Sequence, residues 1–295
     1  MSGKEFFTNR YEKLGWKYEH VQPRQAIRIN SVNMKEGVDV AKRLQSLGIV
    51  LEKVPFLEEG YWIRRSEFSV GATSEYLLGL YSIQEAAAQI PATLFTELKD
   101  KRVLDACAAP GGKTIQLADL MRNTGAIIAL DIKKQRLTAM SNQLERCRVK
   151  NTIVYLLDAR QASHLKKNFD CILLDLPCSG NFTTDRGWFK RRTIKDVERN
   201  ASVQREILAG TVKVLNADAE IVYSTCSLEP EENELNIDWA IQNLDLKAEK
   251  IDCYGREGLT DVFGKKLDSS IRNARRIWPG ETQGFFVCRL KRRDR

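Results

Sequence analysis

The stretch DACAAPGGKT, residues 105–114, decides the fold because it joins a predicted buried strand to a predicted helix through a run of small residues. Small side chains let a ligand approach the backbone, and the free N–H groups at the start of a helix favour an anion. A P-loop, GxxxxGK[ST], is excluded because position 107 is cysteine, and the GxGxxG dinucleotide fingerprint is absent. Phosphate is therefore not the obvious anion, and a carboxylate near Lys113 fits as well.

From residue 101 onward the sequence alternates apolar strands with helices. Strands are predicted in RVLDAC, AIIALDI, TIVYLLD, DCILLDL and EIVYSTCS. This alternation is typical of an α/β fold with a doubly wound, mostly parallel sheet. Ligands bind such sheets beyond the carboxyl ends of the strands, so polar residues at those ends predict a site. Five residues fall at or near them: Asp105, Asp131, Asp158, Asp175 and Cys226.

The chain is expected to contain two domains. Residues 1–72 predict a small α+β domain, with a helix in KEFFTNRYEKLG, a strand at 26–31 and a helix at 36–48. Residues 73–295 predict the larger α/β domain. Its first helix is expected to start at Ser74 and to continue until Pro91 interrupts it.

The 295-residue chain is basic, with a formal net charge of +8. An ordinary basic soluble protein would have this property, and so would a protein with a polyanionic partner, because Lys and Arg neutralise phosphates. The segment RGWFKRRTIKDVER (186–199) favours the second interpretation, since aromatic rings among cations suit unstacked bases. The candidate RNA-binding residues are Arg186, Lys190, Arg191 and Arg192.

The cysteine and histidine content limits the other classes of site. Seven cysteines, an odd number without a CxxC pair, argue against a disulfide framework and a zinc ribbon. Only two histidines are available for a metal site or a catalytic base. No apolar run approaches the roughly 18 residues of a membrane helix, and no secretory signal is visible. We therefore expect a cytoplasmic, monomeric protein with neither a metal nor a membrane partner.

The series of acids predicts the cofactor. Asp131 lies 26 residues after Asp105, and an acid at about that distance typically holds ribose hydroxyls. Asp158, after the next strand, could accept from an adenine amino group. Each Asp alone could equally be a helix N-cap or a surface acid. A nucleoside that carries an amino-acid carboxylate instead of phosphates is S-adenosylmethionine, and the ordered series favours it.

Two cysteines follow neighbouring strands. LLDLPCSG (173–180) ends the fourth strand, and YSTCSLEPEENE (223–234) ends the fifth. A lone cysteine at a strand end is more often structural, but two Cys-Ser pairs facing one pocket are hard to explain by packing. Helix N-termini and neighbouring cations lower a thiol pKa, and the thiolate is the nucleophile. Cys178 and Cys226 are therefore candidate catalytic residues.

These motifs together resemble the Sun/Fmu-type RNA cytosine-5 methyltransferases. The resemblance covers DACAAPGGKT, DLPCSG, YSTCS followed by PEENE, and GFFVCRL near the end. RINSVN and YSIQEAAAQIP resemble the family's N-terminal region and the lead-in to its catalytic domain. The stretch NFTTDRGWFKRR departs from the usual bacterial continuation of Thr-Gly and a run of arginines, and it looks more like archaeal members.

The resemblance implies a Rossmann-like, class I S-adenosylmethionine-dependent methyltransferase that forms 5-methylcytosine in RNA. It implies that Cys226 attacks cytosine C6, that Asp175 binds the N3/N4 edge of the base, and that Cys178 assists product release. It also implies a set of cofactor-binding residues: Cys107, Ala108, Ala109, Pro110, Gly111, Gly112, Lys113, Asp131, Arg136, Asp158 and Asp175.

The expected substrate is tRNA, because the chain is compact and carries no extra large RNA-binding domain. The alternatives are an rRNA methyltransferase, a non-catalytic RNA-binding factor on the same fold, and a methyltransferase acting on a protein or small molecule. The intact cysteines and aspartates count against a non-catalytic factor. The cysteine pair has no clear use in the last alternative.

Overall fold

The computed structural model describes residues 2–32 and 38–293. The N-terminal part forms a four-stranded antiparallel sheet with short helices. Its strands are β1 (Ala26–Ile29), β2 (Val50–Lys53), β3 (Gly60–Arg65) and β4 (Tyr81–Ile83), in the order β2-β3-β1-β4. Its helices are α1 (Lys4–Lys13), α2 (Val40–Ser46) and α3 (Ser74–Leu77). Buried apolar residues of β1, α2 and β4 form its core.

Three of the predicted N-terminal elements are confirmed, and the helix predicted in KEFFTNRYEKLG is α1. The predicted strand at 26–31 is β1, and the predicted helix at 36–48 is α2, which Asp39 caps by accepting the Lys42 N–H at 3.0 Å. Positions 36 and 37 of that predicted helix lie outside the described residues. The domain boundary at residue 72 stays a prediction.

The predicted helix from Ser74 to Pro91 is wrong. Helix α3 ends at Leu77, and the chain then forms β4, which pairs with β1. Gly79 makes the turn between them with φ +74°, and a Cβ there would lie 2.3 Å from the carbonyl oxygen of Arg146. The fully buried Tyr81 follows. Tertiary packing therefore overrides the helical pattern of this segment.

The remainder of the chain forms a nine-stranded sheet and a separate two-stranded one, β12 with β13. The strands are β5 (Arg102–Asp105), β6 (Ala126–Asp131), β7 (Thr152–Leu156), β8 (Phe169–Asp175), β9 (Leu215–Thr225), β10 (Leu246–Glu249), β11 (Arg256–Glu257), β12 (Asp261–Val262), β13 (Lys265–Lys266), β14 (Arg275–Ile277) and β15 (Phe285–Arg292). The helices are α4 (Gly112–Leu120), α5 (Lys134–Arg146), α6 (Trp188–Arg191), α7 (Ile194–Val212) and α8 (Glu234–Asn243).

The large sheet has the order β11-β14-β15-β9-β8-β5-β6-β7, with β10 paired to β15. Strands β5 to β9 are parallel, and the others join through antiparallel pairs. Strand β8 shows why the sequences of these strands are continuously apolar. Ile172 and Leu174 pack on one face, Leu173 packs on the other, and both faces are covered. The predicted doubly wound, mostly parallel sheet is confirmed.

Strand order brings the predicted polar residues to one edge. Asp105, Asp131 and Asp175 are the last residues of β5, β6 and β8. Asp158 comes two residues after β7, and Cys226 follows β9 directly. The chain order reverses beside β5, which is where ligands bind in such sheets. Within the described ranges, no helix has both the length and the apolar composition required to cross a membrane.

Candidate active site

A cavity of about 480 Å³ opens at this edge of the sheet. Nine predicted site residues line it: Cys107, Ala109, Pro110, Asp131, Arg136, Asp158, Asp175, Cys178 and Cys226. The lining does not include Ala108, Gly111, Gly112 or Lys113. Sequence reasoning missed its apolar and helical walls, among them Ile132, Arg160 and Val203. Ile132 could have been identified from the sequence, because it is an apolar residue directly after the strand-end Asp131. In the structure its side chain is exposed, at 63%.

The loop from β5 to α4 forms the floor of this region. Asp105 is fully buried and accepts a hydrogen bond from the Thr114 hydroxyl at 2.7 Å. Burial raises the pKa of the Asp105 carboxyl to about 7. Gly111 precedes α4 with φ +104°, a conformation that favours glycine, and a Cβ there would lie 3.0 Å from the Met140 side chain. Gly111 thus serves the tight entry into α4.

Asp175 is held by two neighbours. Lys113 Nζ lies 2.7 Å from its Oδ2, and the Ser224 hydroxyl donates to its Oδ1 at 3.0 Å. Lys113 therefore turns toward the β8 carboxylate rather than into the cavity. Asp175 itself lines the cavity beside the cysteines.

The two other strand-end acids both pair with arginine. Asp131 lies 2.9 Å from Arg136, which also donates to the carbonyl oxygen of Ala109. Asp158 pairs with Arg160 at 2.6 Å and accepts the N–H of the same residue at 2.9 Å, so it caps the following 3₁₀ turn. The hydrogen bond from Arg160 lowers the pKa of the Asp158 carboxyl. Asp158 therefore both caps the 3₁₀ turn and lines the cavity.

The two cysteines meet at the edge of the cavity. Their Sγ atoms lie 2.9 Å apart, within hydrogen-bonding distance of sulfur, and both side chains are half-buried. The hydrogen bond with Cys226, followed by burial, holds the pKa of the Cys178 thiol well above its ordinary value. Either thiol can be the donor in this contact, and the raised pKa keeps Cys178 protonated.

Buried polar side chains connect the two cysteine loops. Glu232 accepts the Ser179 N–H at 2.9 Å and the Ser179 hydroxyl at 2.6 Å, and the Ser227 hydroxyl lies 3.1 Å from that of Ser179. Asn181 donates to the carbonyl oxygens of Cys226 at 2.8 Å and Gly284 at 3.1 Å. Each contact joins the segment after β8 to a segment far away in sequence.

The four predicted RNA-binding residues lie in two different settings. Arg186 and Lys190 are exposed and line a second cavity, of about 1070 Å³, outside the first. Arg191 forms an ion pair with Asp185, and Arg192 is half-buried in front of α7. Among the described residues, no group of three or more His, Cys, Asp or Glu is arranged to hold a metal ion.

The parallel sheet, the reversal at β5 and the acid-lined cavity define the class I S-adenosylmethionine-dependent methyltransferases. A family model described as 16S rRNA methyltransferase RsmB/F matches residues 92–291, and a second, the N-terminal domain of 16S rRNA methyltransferase RsmF, matches residues 3–86. The chain belongs to this family, that of the Sun/Nop2 RNA cytosine-5 methyltransferases, as the sequence resemblance implies. S-adenosylmethionine is the methyl donor of the family.

Relatives in the family differ in length and in the RNA for which they are named. The chain is 33% identical over 303 residues to a tRNA (cytosine(49)-C(5))-methyltransferase of Pyrococcus abyssi, covering 97% of this chain and 95% of the relative. It is 35% identical over 277 residues to a 28S rRNA (cytosine(4447)-C(5))-methyltransferase of Homo sapiens, covering 90% and 34%. It is 36% identical over 282 residues to ribosomal RNA small subunit methyltransferase F of Aeromonas salmonicida, covering 91% and 58%. The chain thus spans about a third to three fifths of these two rRNA relatives.

A solved structure shares both the sequence and the fold. The methyltransferase homologue from Pyrococcus horikoshii is 36% identical, superimposes with a TM-score of 0.86, and covers 98% of this chain and 95% of that one. NSun6 from Pyrococcus horikoshii with SFG, at 23% identity and a TM-score of 0.81, shares the fold.

Proposed function

We propose that this protein is an S-adenosylmethionine-dependent RNA (cytosine-5) methyltransferase that acts on tRNA. The observation that carries the proposal is the pair of thiols with Sγ atoms 2.9 Å apart, beside Asp175 on the cavity wall. Adjacent thiols suit covalent catalysis on a base whose C5 is a poor nucleophile. Family membership supports the same reaction class.

The extent of the match to the archaeal relative supports tRNA. The chain covers 95% of the archaeal relative named for tRNA, and 34% to 58% of the human and Aeromonas relatives named for rRNA. rRNA is the second candidate, because the identity to the rRNA enzymes is similar, at 35% and 36%.

The cavity fits S-adenosylmethionine in size and in chemistry. Its volume of about 480 Å³ suits a ligand of this size. Asp131 and Asp158 supply acceptors for ribose hydroxyls and an amino group, and Ile132 supplies an apolar surface for a ring. We assign the β5–α4 loop, Cys107 to Lys113, to the methionine part, with Lys113 acting through Asp175. When bound, the cofactor supplies a methyl group made electrophilic by its sulfonium charge.

Cys226 acts as the nucleophile. The Cys226 thiol loses its proton to water, and the thiolate forms a bond to C6 of the cytosine while the electron pair of the C5=C6 double bond moves onto C5. C5 would then take the methyl group, with the bond between the methyl carbon and the sulfonium sulfur breaking and its electron pair going to that sulfur. Asp175, held by Lys113 at 2.7 Å, binds the N3/N4 edge and accepts a hydrogen bond from the amino group. The base is thereby oriented before methylation.

Cys178 assists release. When the C5 proton is lost to water, its electron pair re-forms the C5=C6 bond, and the C6–S bond breaks with its pair returning to Cys226. Because its pKa is raised, Cys178 retains a proton that hydrogen-bonds the departing sulfur and stabilises the thiolate. Loss of this donor is expected to leave the covalent adduct in place.

The RNA has to present an unpaired cytosine. Side chains reach the C5 edge poorly in the deep groove of an A-form duplex, so the base lies in a loop or is flipped out. We propose that residues 1–72 and the basic segment 186–199, with Arg186, Lys190, Arg191 and Arg192, contact this RNA. We also propose that the protein works as a monomer in the cytoplasm. Residues of one chain line the cofactor cavity, and none of the cysteines that the structure describes is in a disulfide.

The test uses wild type, Cys178→Ala and Cys226→Ala, with Cys253→Ala as the control for losing a half-buried thiol elsewhere. Each is mixed with unmodified tRNA and radiolabelled S-adenosylmethionine, and products are separated on denaturing gels. We expect methylation by wild type and Cys253→Ala, and an RNA adduct that survives denaturation only with Cys178→Ala. An adduct with Cys226→Ala would reverse the two roles. Absence of methylation and adduct with both tRNA and rRNA would refute the function.

A further inference from the structure

A second cavity, of about 1070 Å³, lies next to the loop that follows Cys178. We call it the aromatic groove, after the Tyr18, Phe182 and Phe189 rings in its wall. None of the described residues lining it also lines the cofactor cavity. It is therefore a surface separate from the cofactor cavity, and none of the bond-making steps described above takes place in it.

The three rings form one cluster that is left partly open. Phe182 and Phe189 stack with ring centroids 5.2 Å apart and an angle of 15°, and Tyr18 lies 5.1 Å from Phe182 and 5.8 Å from Phe189. Phe7 and Trp188 behind them are fully buried and form the core of this region. The three groove rings are only half-buried, which a purely structural role would not require. Aromatic surface of this kind binds nucleobases by stacking.

The charged side chains in the wall of the groove are all positive. Lys4, Arg186 and Lys190 are exposed in its wall, and its described lining contains no carboxylate side chain. Lys4 Nζ lies 4.5 Å above the Tyr18 ring. Within residues 2–32 and 38–293, none of these three cations forms an ion pair with an acid. Cations without acidic partners next to aromatic rings suit a phosphate and its base.

The groove is tied to the catalytic cysteines by a short loop. Phe182 comes four residues after Cys178, so their Cα atoms lie at most about 14 Å apart. Between them, Asn181 donates to the carbonyl oxygen of Cys226 at 2.8 Å and accepts the Thr183 N–H at 2.9 Å. The groove wall therefore lies close enough to the thiols for a nucleotide near the target cytosine to reach it.

We propose that the aromatic groove binds one unpaired nucleotide of the RNA strand close to the target cytosine. Its base stacks on the Tyr18, Phe182 and Phe189 cluster, and its phosphate pairs with Lys4, Arg186 and Lys190. Since every base has a π face, the groove selects unstacked strand geometry rather than base identity. This inference rests on the proposed function, because it takes the cysteines to act on RNA.

The experiment measures binding of a single-stranded oligoribonucleotide that carries 2-aminopurine beside a cytosine, with the same strand in a duplex as the comparison. The full chain is used as wild type, Tyr18→Ala, Tyr18→Phe and Lys190→Glu. Lys99→Glu is the charge control, because Lys99 is exposed and lies outside the groove. Thermal melts identify any variant that fails to fold, and Tyr18→Phe keeps the ring in place.

For wild type and Tyr18→Phe we expect tight single-strand binding and quenched 2-aminopurine fluorescence. Tyr18→Ala should weaken binding roughly 5- to 150-fold and restore fluorescence. Lys190→Glu should weaken binding and lower the salt dependence by about one counterion or more, while Lys99→Glu should behave as wild type. Equal affinity and equal quenching for Tyr18→Ala and Tyr18→Phe would overturn the inference.

A parallel adduct assay separates this inference from the proposed function. Each groove variant is combined with Cys178→Ala and mixed with tRNA. Slower adduct formation in the Tyr18→Ala combination supports the groove. Normal adduct formation in that combination refutes the groove and leaves the function intact. Ring-dependent oligonucleotide binding without any adduct or methylation, on tRNA or rRNA, refutes the function and leaves the groove intact.

Discussion

Replacing Glu232 with glutamine tests whether one buried carboxylate holds the two cysteine loops together. Both carboxylate oxygens accept hydrogen bonds from Ser179, one from its N–H at 2.9 Å and one from its hydroxyl at 2.6 Å. Glutamine keeps one acceptor oxygen and turns an N–H₂ donor toward the other Ser179 donor. Losing one charge-assisted hydrogen bond costs about 1.5–3 kcal/mol, and Glu232→Ala, which orphans two buried donors, about 2–6 kcal/mol.

The stability assay is denaturant unfolding, read as the shift of the midpoint at constant slope. The functional assay is the rate of adduct formation in the Cys178→Ala background, together with the Kd for S-adenosylmethionine. Because a displacement of the reacting atoms by about 1 Å can slow a reaction about 100-fold, we expect a slower adduct with little change in cofactor Kd. Glu232 does not line the cofactor cavity. An unchanged Kd for S-adenosylmethionine would therefore show that the substitution acts on the cysteine loops and not on the cofactor site.

The neighbouring Glu231→Gln is the matched control. Glu231 pairs with Arg10 at 2.7 Å, is partly exposed and has no contact with Ser179. Its loss leaves Arg10 paired with Glu229 and is expected to leave adduct formation unchanged. Glu232→Gln and Glu231→Gln with the same stability and the same adduct rate would refute the view that Glu232 positions the cysteine loops.

Three further predictions concern the β5–α4 loop, the turn before β4 and the cofactor cavity. Because burial raises the pKa of Asp105 to about 7, the folded state binds an extra proton between about pH 4 and 7. The unfolding free energy should therefore fall as pH rises through that window, and Asp105→Asn should flatten the fall in denaturant curves collected from pH 4.5 to 8. Gly79→Ala should lower the melting temperature more than Gly264→Ala, since both have positive φ but only Gly79 lacks room for a Cβ; equal losses would contradict this. Arg136→Ala should raise the Kd for S-adenosylmethionine about 10-fold by calorimetry, because the Asp131 carboxylate loses its partner at 2.9 Å; an unchanged Kd would remove Arg136 from the binding site.

The polar residues at the carboxyl ends of the strands could be predicted, because their position depends on the local pattern of apolar and polar residues. Strand and helix periods are visible in the chain, and parallel strands bring all their carboxyl ends to one side. Asp105, Asp131 and Asp175 therefore met where expected. The same pattern misled the prediction at Ser74–Pro91, where β4 replaces a helix, because the turn at Gly79 depends on the backbone of Arg146.

The hydrogen bonds that hold the site residues in place could not be predicted, because they join segments that are distant in the sequence. Glu232 lies 53 residues from Ser179, and Asn181 lies 45 from Cys226. A polar residue in a loop carries no local sign that it will be buried against such a partner. Lys113 shows the same limit, since its spacing suggested a ligand contact and the structure pairs it with Asp175, 62 residues away.

Strand β15 has a consequence for how the chain folds. It lies between β9 and β14, pairs also with β10, and is far from β9 in the sequence. Until β15 is in place, β9 is an uncovered edge, and β10 and β14 lack the strand with which they pair. A chain with such an edge is prone to pair with other chains. Substitutions that keep β15 from docking should therefore yield aggregates rather than a smaller folded enzyme.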